Sequence, residues 1–171
     1  MSEYLIQQKY LGQAARTVVK NPAGVPQFLL VGSWGPKGNV LSVYSMSGTL
    51  LAFVKRVPWS FGTRFDLYQD YQKVGTMNRL FHFTLDLYYI QKLGWHVFGN
   101  VEEHQYHIFQ FRRQVMAMTS GSFTFGDCYV LDIPQVTEAP LAICIASVLD
   151  YWLYNTKKDP QKNLKPNLSL D

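Results

Sequence analysis

LAICIASVLDYWLYN, residues Leu141 to Asn155, is the most apolar stretch of this 171-residue chain, and it lies close to the C-terminus. As a helix over 141–154 it would be about 21 Å long at ~1.5 Å per residue. A bilayer core needs roughly 30 Å, or about 20 apolar residues, and Asp150 interrupts the run, so no transmembrane span is expected. A helix that is apolar all round must instead be buried all round. Leu141, Ile143, Cys144, Ile145, Val148, Leu149 and Trp152 are its expected core positions.

What could bury it follows from the residues before it. They read as twelve strands, at 4–10, 15–20, 26–32, 39–45, 50–57, 63–69, 73–78, 84–90, 93–99, 104–111, 114–119 and 127–133. Each is rich in β-branched, aromatic or aliphatic residues, and several alternate apolar with polar, as in Arg64-Phe65-Asp66-Leu67. Turn formers punctuate them, among them Asn21-Pro22-Ala23-Gly24 and Met46-Ser47-Gly48. Regular strands with no helix between them imply antiparallel hairpins in a sandwich or barrel. Eight strands make a barrel filled by its own side chains, and diameter grows with strand number. Twelve leave room for one helix. The fold class is therefore mainly β: a closed twelve-stranded antiparallel barrel around a central C-terminal helix. Ala52, Gly75 and Ala117, at matching points of three loosely repeated hairpin units, are expected to let the helix approach the wall.

Composition agrees with one compact domain over 1–155 and a polar, basic, disordered tail over 156–171. Aromatics reach 15% and charged residues only 16%, which favours β structure and excludes bulk disorder. The net charge of +4 is half contained in the tail. The remainder is too sparse for a nucleic-acid-binding stripe. Cys128 and Cys144 have no metal-ligand spacing and suggest no disulfide framework, which favours a reducing, cytoplasmic compartment. The N-terminus reads as no secretion signal.

Several short motifs, taken in order, resemble the LURP-one-related family. They are Tyr4-Leu5-Ile6-Gln7-Gln8-Lys9, Leu51-Ala52-Phe53-Val54-Lys55, Leu93-Gly94-Trp95-His96-Val97-Phe98-Gly99-Asn100 and His104-Gln105-Tyr106-His107-Ile108. Leu131-Asp132-Ile133 and the Leu141–Asp150 run complete the set, so the resemblance spans residues 3–152. It implies a tubby-like fold, a twelve-stranded barrel threaded by a hydrophobic helix, and no enzymatic activity. The family's structural relatives, tubby proteins and phospholipid scramblases, are linked to membrane lipids.

The residues themselves carry little catalytic chemistry. His104 and His107 sit at odd spacing on one strand and point to opposite faces, which a metal site does not tolerate. Glu102 and Glu103 read as a solvated turn. Cys128 has no neighbour to activate it, and phosphate-binding loops and nucleophile elbows are absent. No catalytic residue, metal or cofactor is assigned. Asp150 is expected to meet a wall residue or to lie near the barrel mouth.

The loops offer the better candidates. In an up-and-down barrel one end collects Trp34, Trp59 with Phe61, Phe81 with Phe83, and Phe123 with Phe125, while the other end reads as polar. The helix would emerge at the aromatic end with Tyr151, Trp152 and Tyr154, followed by Lys157 and Lys158. Aromatics beside lysines suit a membrane interface; such rings also plug a barrel mouth against water. Lys55, Arg56, Arg64, Trp59, Lys157 and Lys158 are thus the candidate contacts to anionic phospholipid. The expected function is a non-enzymatic binding domain, at the membrane periphery if lipid is its ligand, with a protein-interaction module as the alternative.

Overall fold

The computed structural model describes residues 2–8, 16–35, 38–59, 62–82, 86–100, 103 and 105–158; at 33, 35, 38, 59, 62, 63, 79–82, 86 and 153–158 it describes the backbone alone. Twelve strands appear, in this order: β1 Ser2–Gln7, β2 Arg16–Lys20, β3 Pro26–Gly35, β4 Gly38–Ser45, β5 Leu50–Trp59, β6 Gly62–Gln69, β7 Gln72–His82, β8 Asp86–Gln91, β9 Trp95–Asn100, β10 Gln105–Gln110, β11 Arg113–Phe123 and β12 Gly126–Ile133. Each pairs antiparallel with its sequence neighbours, and β12 closes the ring on β1 from Ser2 opposite Ile133 to Gln7 opposite Cys128. The barrel is strictly up-and-down, which removes the free edges that would otherwise template aggregation.

A 3-10 turn, Val136–Glu138, then leads into α1, Ala139–Lys158. Every residue from Ala139 to Leu149 is buried, as an all-apolar helix requires. The helix enters at the base, where β12 ends, and leaves at the mouth. It is longer at both ends than the expected 141–154. Pro140 suits a first helical turn, since its missing N–H has no partner there anyway. Continuation to Lys158 takes three residues of the expected tail, and Pro160 disfavours helix in the residue before it. The rest of that tail, 159–171, lies outside the described residues.

Helix and wall are fitted asymmetrically. The helix packs closest to β4, β5 and β6, where the buried Ala52 permits approach. Across the lumen Tyr88, Ile90, Trp95, Tyr106 and Ile108 fill the remaining width, all buried. Gly99 makes this possible on β9, because a Cβ there would fall 1.9 Å from the Tyr106 ring. Ala117 does not serve the helix as expected. It is only half-buried and pairs with Asp132 on the outer face, while Met116 and Met118 point inward. Strand period 2 makes Met116, not Ala117, the counterpart of Ala52.

Both ends of the helix are pinned by polar contacts. At the base, Arg113 donates to both carboxylate oxygens of Glu138, at 2.8 and 2.7 Å, and to Gln110 Oε1 at 2.6 Å. This bidentate fork also sets a negative charge beside the helix N-terminus, where the macrodipole favours it. Toward the mouth, Trp34 Nε1 donates to the Ser147 carbonyl at 3.3 Å, and Tyr129 donates to Asp150 Oδ1 at 2.6 Å. Asp150 thus meets a wall residue.

Replacing Ile145 by Asp would place an unpaired charge at a site with no solvent exposure. Such charges cost on the order of several kcal/mol, a large part of a domain's stability. The variant should yield no soluble folded protein; good expression with native near-ultraviolet dichroism would contradict a helix buried in the lumen.

Candidate functional site

Strand parity decides which of the expected basic residues are available to a ligand. On β5, Ala52 and Val54 point inward and are buried, and Arg56 shares their parity. It faces the mouth, donating to the Tyr151 hydroxyl at 3.0 Å, with its guanidinium 5.6 Å from that ring's centroid. Arg56 is thereby a plug residue rather than a solvent-facing strand-end contact. Tyr151 packs edge-on against Trp34 and Phe65, and Trp152 stacks on Tyr88 at 4.7 Å. These rings close the mouth over the helix, where edge-to-face and stacked pairs add to simple burial.

Lys55 has the opposite parity and is exposed on the outer face. Its cross-strand partner is Asp66 on β6, and the next outward pair is Val57 opposite Arg64. Asp66 is only 5% exposed. Its Oδ1 accepts from Thr76 at 3.0 Å, lies 2.9 Å from Lys73 Nζ, and is 3.5 Å from Arg64 Nε. One nearly buried carboxylate therefore organises two half-exposed cations, with a third, Lys55, directly opposite. Beside the cluster Phe53 and Tyr68 stack at 4.4 Å and 5°. The outer face of β5, β6 and β7 is thus a basic patch with a flat aromatic shoulder.

Of the six sequence candidates, the structure brings Lys55 and Arg64 together and turns Arg56 away. The side chains of Trp59, Lys157 and Lys158 lie outside the described residues, as do those of Phe81 and Tyr154 and the whole of Phe61 and Phe83. Lys73 and Asp66 were missed. The irregularity between Leu67 and Tyr68 shifts the β6–β7 register and brings Lys73 level with Tyr68, and a simple alternation of residues carries no sign of such a shift.

The expectation of one aromatic and one polar end needs correction. The base carries the exposed apolar side chains Val25, Met46, Tyr71, Phe111 and Val136, with Phe111 91% exposed. Trp34, expected in a mouth loop, is half-buried and packed against the core. Two-residue hairpin tips account for two of these, Tyr71 and Phe111. Asp70 and Tyr71 both have positive φ, 49° and 62°, and Phe111 has 53°. A side chain at such a tip projects away from its own sheet. Phe123 and Phe125 do stay exposed at the mouth, stacked at 5.3 Å.

Among the described residues no group of His, Cys, Asp and Glu could hold a metal. Both cysteines are free and buried. Burial raises both thiols, and at Cys128 the Asp127 charge adds to it. No described helix is long and apolar enough to cross a membrane.

No family model and no curated protein matches the chain. Among solved structures, the X-ray structure of the Arabidopsis thaliana protein AT5G01750 is similar, with a TM-score of 0.60 over 88% of this chain and 90% of that one. Sequence identity is 15%, so the likeness speaks for the fold alone. That fold is mainly β, a closed twelve-stranded barrel with one C-terminal helix.

Burial raises the Tyr129 hydroxyl first, and the Asp150 charge and hydrogen bond push it further the same way. A folded value above the unfolded one contributes stability that is complete below the unfolded pKa and is lost as pH rises towards the folded one. The unfolded values are about 8.5 for Cys and about 10 for Tyr. With Cys144 also raised, urea-derived stability should decline above about pH 9. Tyr129→Phe should lower neutral-pH stability by about 1.5–3 kcal/mol, as for a hydrogen bond to a charged group, and flatten the decline above about pH 10. Equal stability and an unchanged alkaline slope would show that the Tyr129–Asp150 contact is idle.

Proposed function

We propose that the chain is a non-enzymatic binding module of the LURP-one-related family that docks on anionic phospholipid surfaces through the outer face of β5, β6 and β7. The observation that carries this is the gathering of Lys55, Arg64 and Lys73 around the single carboxylate of Asp66. Each cation near an anionic surface contributes ~1 kcal/mol, falling off within a Debye length. Phe53 and Tyr68 supply flat, half-buried rings at the height of the cations. The lumen, where a barrel enzyme would hold a small hydrophobic substrate, is filled by the protein's own helix. The function fits a cytoplasmic, peripheral membrane protein.

A second reading, a protein-interaction module, is favoured by the base. Tyr71 and Phe111 hold large rings in a backbone conformation that costs such residues about 1–3 kcal/mol, on tips that bury little of them. Strain of that kind collects at working surfaces. The two readings use different residues, the cations of the wall and the rings of the base tips, and can be separated.

Co-sedimentation with anionic vesicles at low salt should pull down the wild-type protein, weaken steeply towards physiological salt, and vanish with neutral lipid. Lys55→Gln with Arg64→Gln, in protein that keeps its native near-ultraviolet dichroism, should remove most binding, while Tyr71→Ser with Phe111→Ser should leave it unchanged. If the wild-type protein ignores anionic vesicles even at low salt, the lipid reading fails and the interaction module becomes the better account.

A further inference from the structure

The barrel has one weak seam. β3 and β4 pair continuously from Phe28 opposite Ser45 to Gly35 opposite Gly38, but among the described residues β1 and β2 meet at a single register position, Leu5 opposite Lys20. Above that point the two strands splay. The opening is a groove of about 600 Å³ on the outside of the barrel, within the size range of small-ligand sites, roughly 300–1,000 Å³. Most of its surface is apolar, with Leu5, Val18, Pro22 and Phe125 in the lining beside the polar Gln7, Thr17 and Asn21. Val18 is 38% and Phe125 54% exposed, surface that a ligand would cover.

The charges in the groove have one sign. Arg16 and Lys20 both line it, no lining residue among those described is acidic, and neither cation has an ion-pair partner among the described residues. They flank Val18 on the outward face of β2, whose burial alternates strictly. Four residues of strand separate them by about 13 Å, so an aliphatic chain can lie along Val18 and Leu5 with its head group at one cation. A neutral or cationic head would leave that cation without a partner beside apolar surface.

From this we infer that the β1–β2 groove binds a monomeric single-chain amphiphile with an anionic head, a long-chain carboxylate or alkyl phosphate. The site lies outside the β5–β7 patch and does not depend on vesicle docking. The cations select the head group, and the length of apolar wall selects the chain.

Calorimetric titration of the full chain with dodecanoate and dodecyl phosphate, both below micelle formation, tests this directly. Dodecyl maltoside and dodecyltrimethylammonium serve as neutral and cationic controls. The anionic probes should bind with one-to-one stoichiometry and at least about tenfold tighter than the controls, as a hydrogen bond to a charged group implies. Arg16→Gln with Lys20→Gln should erase that preference, and Val18→Trp should abolish binding of every probe by filling the groove. Methyl resonances of Leu5 and Val18 should shift with dodecanoate in the wild-type protein, which keeps the test independent of any variant's folding. No binding, equal affinity for all four heads, or shifts confined to other methyls would overturn the inference.

Discussion

Enclosure of an apolar helix by a barrel of matching width is the constraint from which the rest of the molecule follows. Neither part satisfies itself. The helix exposes apolar surface on every side, and a twelve-stranded barrel is too wide to be filled by its own side chains. Each therefore completes the other's core, and the two should form and melt as one cooperative unit. The polar contacts at the ends do a different job. Arg113 with Glu138 at the base, and Trp34 and Tyr129 towards the mouth, fix how far the helix slides along the lumen and which way it is turned.

This division leaves function to the outside. With the lumen occupied, the described surface offers three distinct features: a basic patch on β5–β7, exposed apolar tips at the base, and the groove where β1 and β2 splay. Each is separated from the core by a strand's thickness, so surface residues can change with little effect on the barrel. That separation makes the exposed Lys55 a cleaner functional probe than Arg64, which is held to the nearly buried Asp66, or than the inward-facing Arg56. Its guanidinium is engaged with Tyr151 over the mouth.

The large elements were legible in the sequence because their causes are local. Runs of alternating β-branched and aromatic residues between turn formers produce strands, and a long apolar run without alternation produces the buried helix. Twelve strands and the helix overlap the ranges those patterns give, although β7, β11 and the helix run longer, and positions 9, 10, 15, 84, 85 and 104 of the expected strands lie outside the described residues. What was misread depends on parity and register. Arg56 follows Ala52 and Val54 at the same parity, so its inward direction was available to a stricter reading of period 2. Ala117 could have been assigned outward by aligning Met116 with Ala52. Other features leave no local trace. The register shift after Leu67 that places Lys73 by Asp66, the strained tips at Tyr71 and Phe111, and the splaying of β1 from β2 all arise from how strands meet. The resemblance to the LURP-one-related family implied the barrel and its helix, and only two of its motifs reach the outer features: the one at 4–9 gives Leu5 and Gln7 to the groove, and the one at 51–55 gives Phe53 and Lys55 to the basic patch.

The central claim is that helix and barrel are one core, and native-state hydrogen exchange tests it most directly. Amides from Leu141 to Leu149 should exchange only through global unfolding, with the same free energy as the most protected amides of β4, β5 and β6, because helix and wall share one core and parting β1 from β2 alone leaves the helix packed on β4, β5 and β6. If those helix amides exchange through a local opening well below the barrel's own stability, the helix is a docked accessory and the account is wrong.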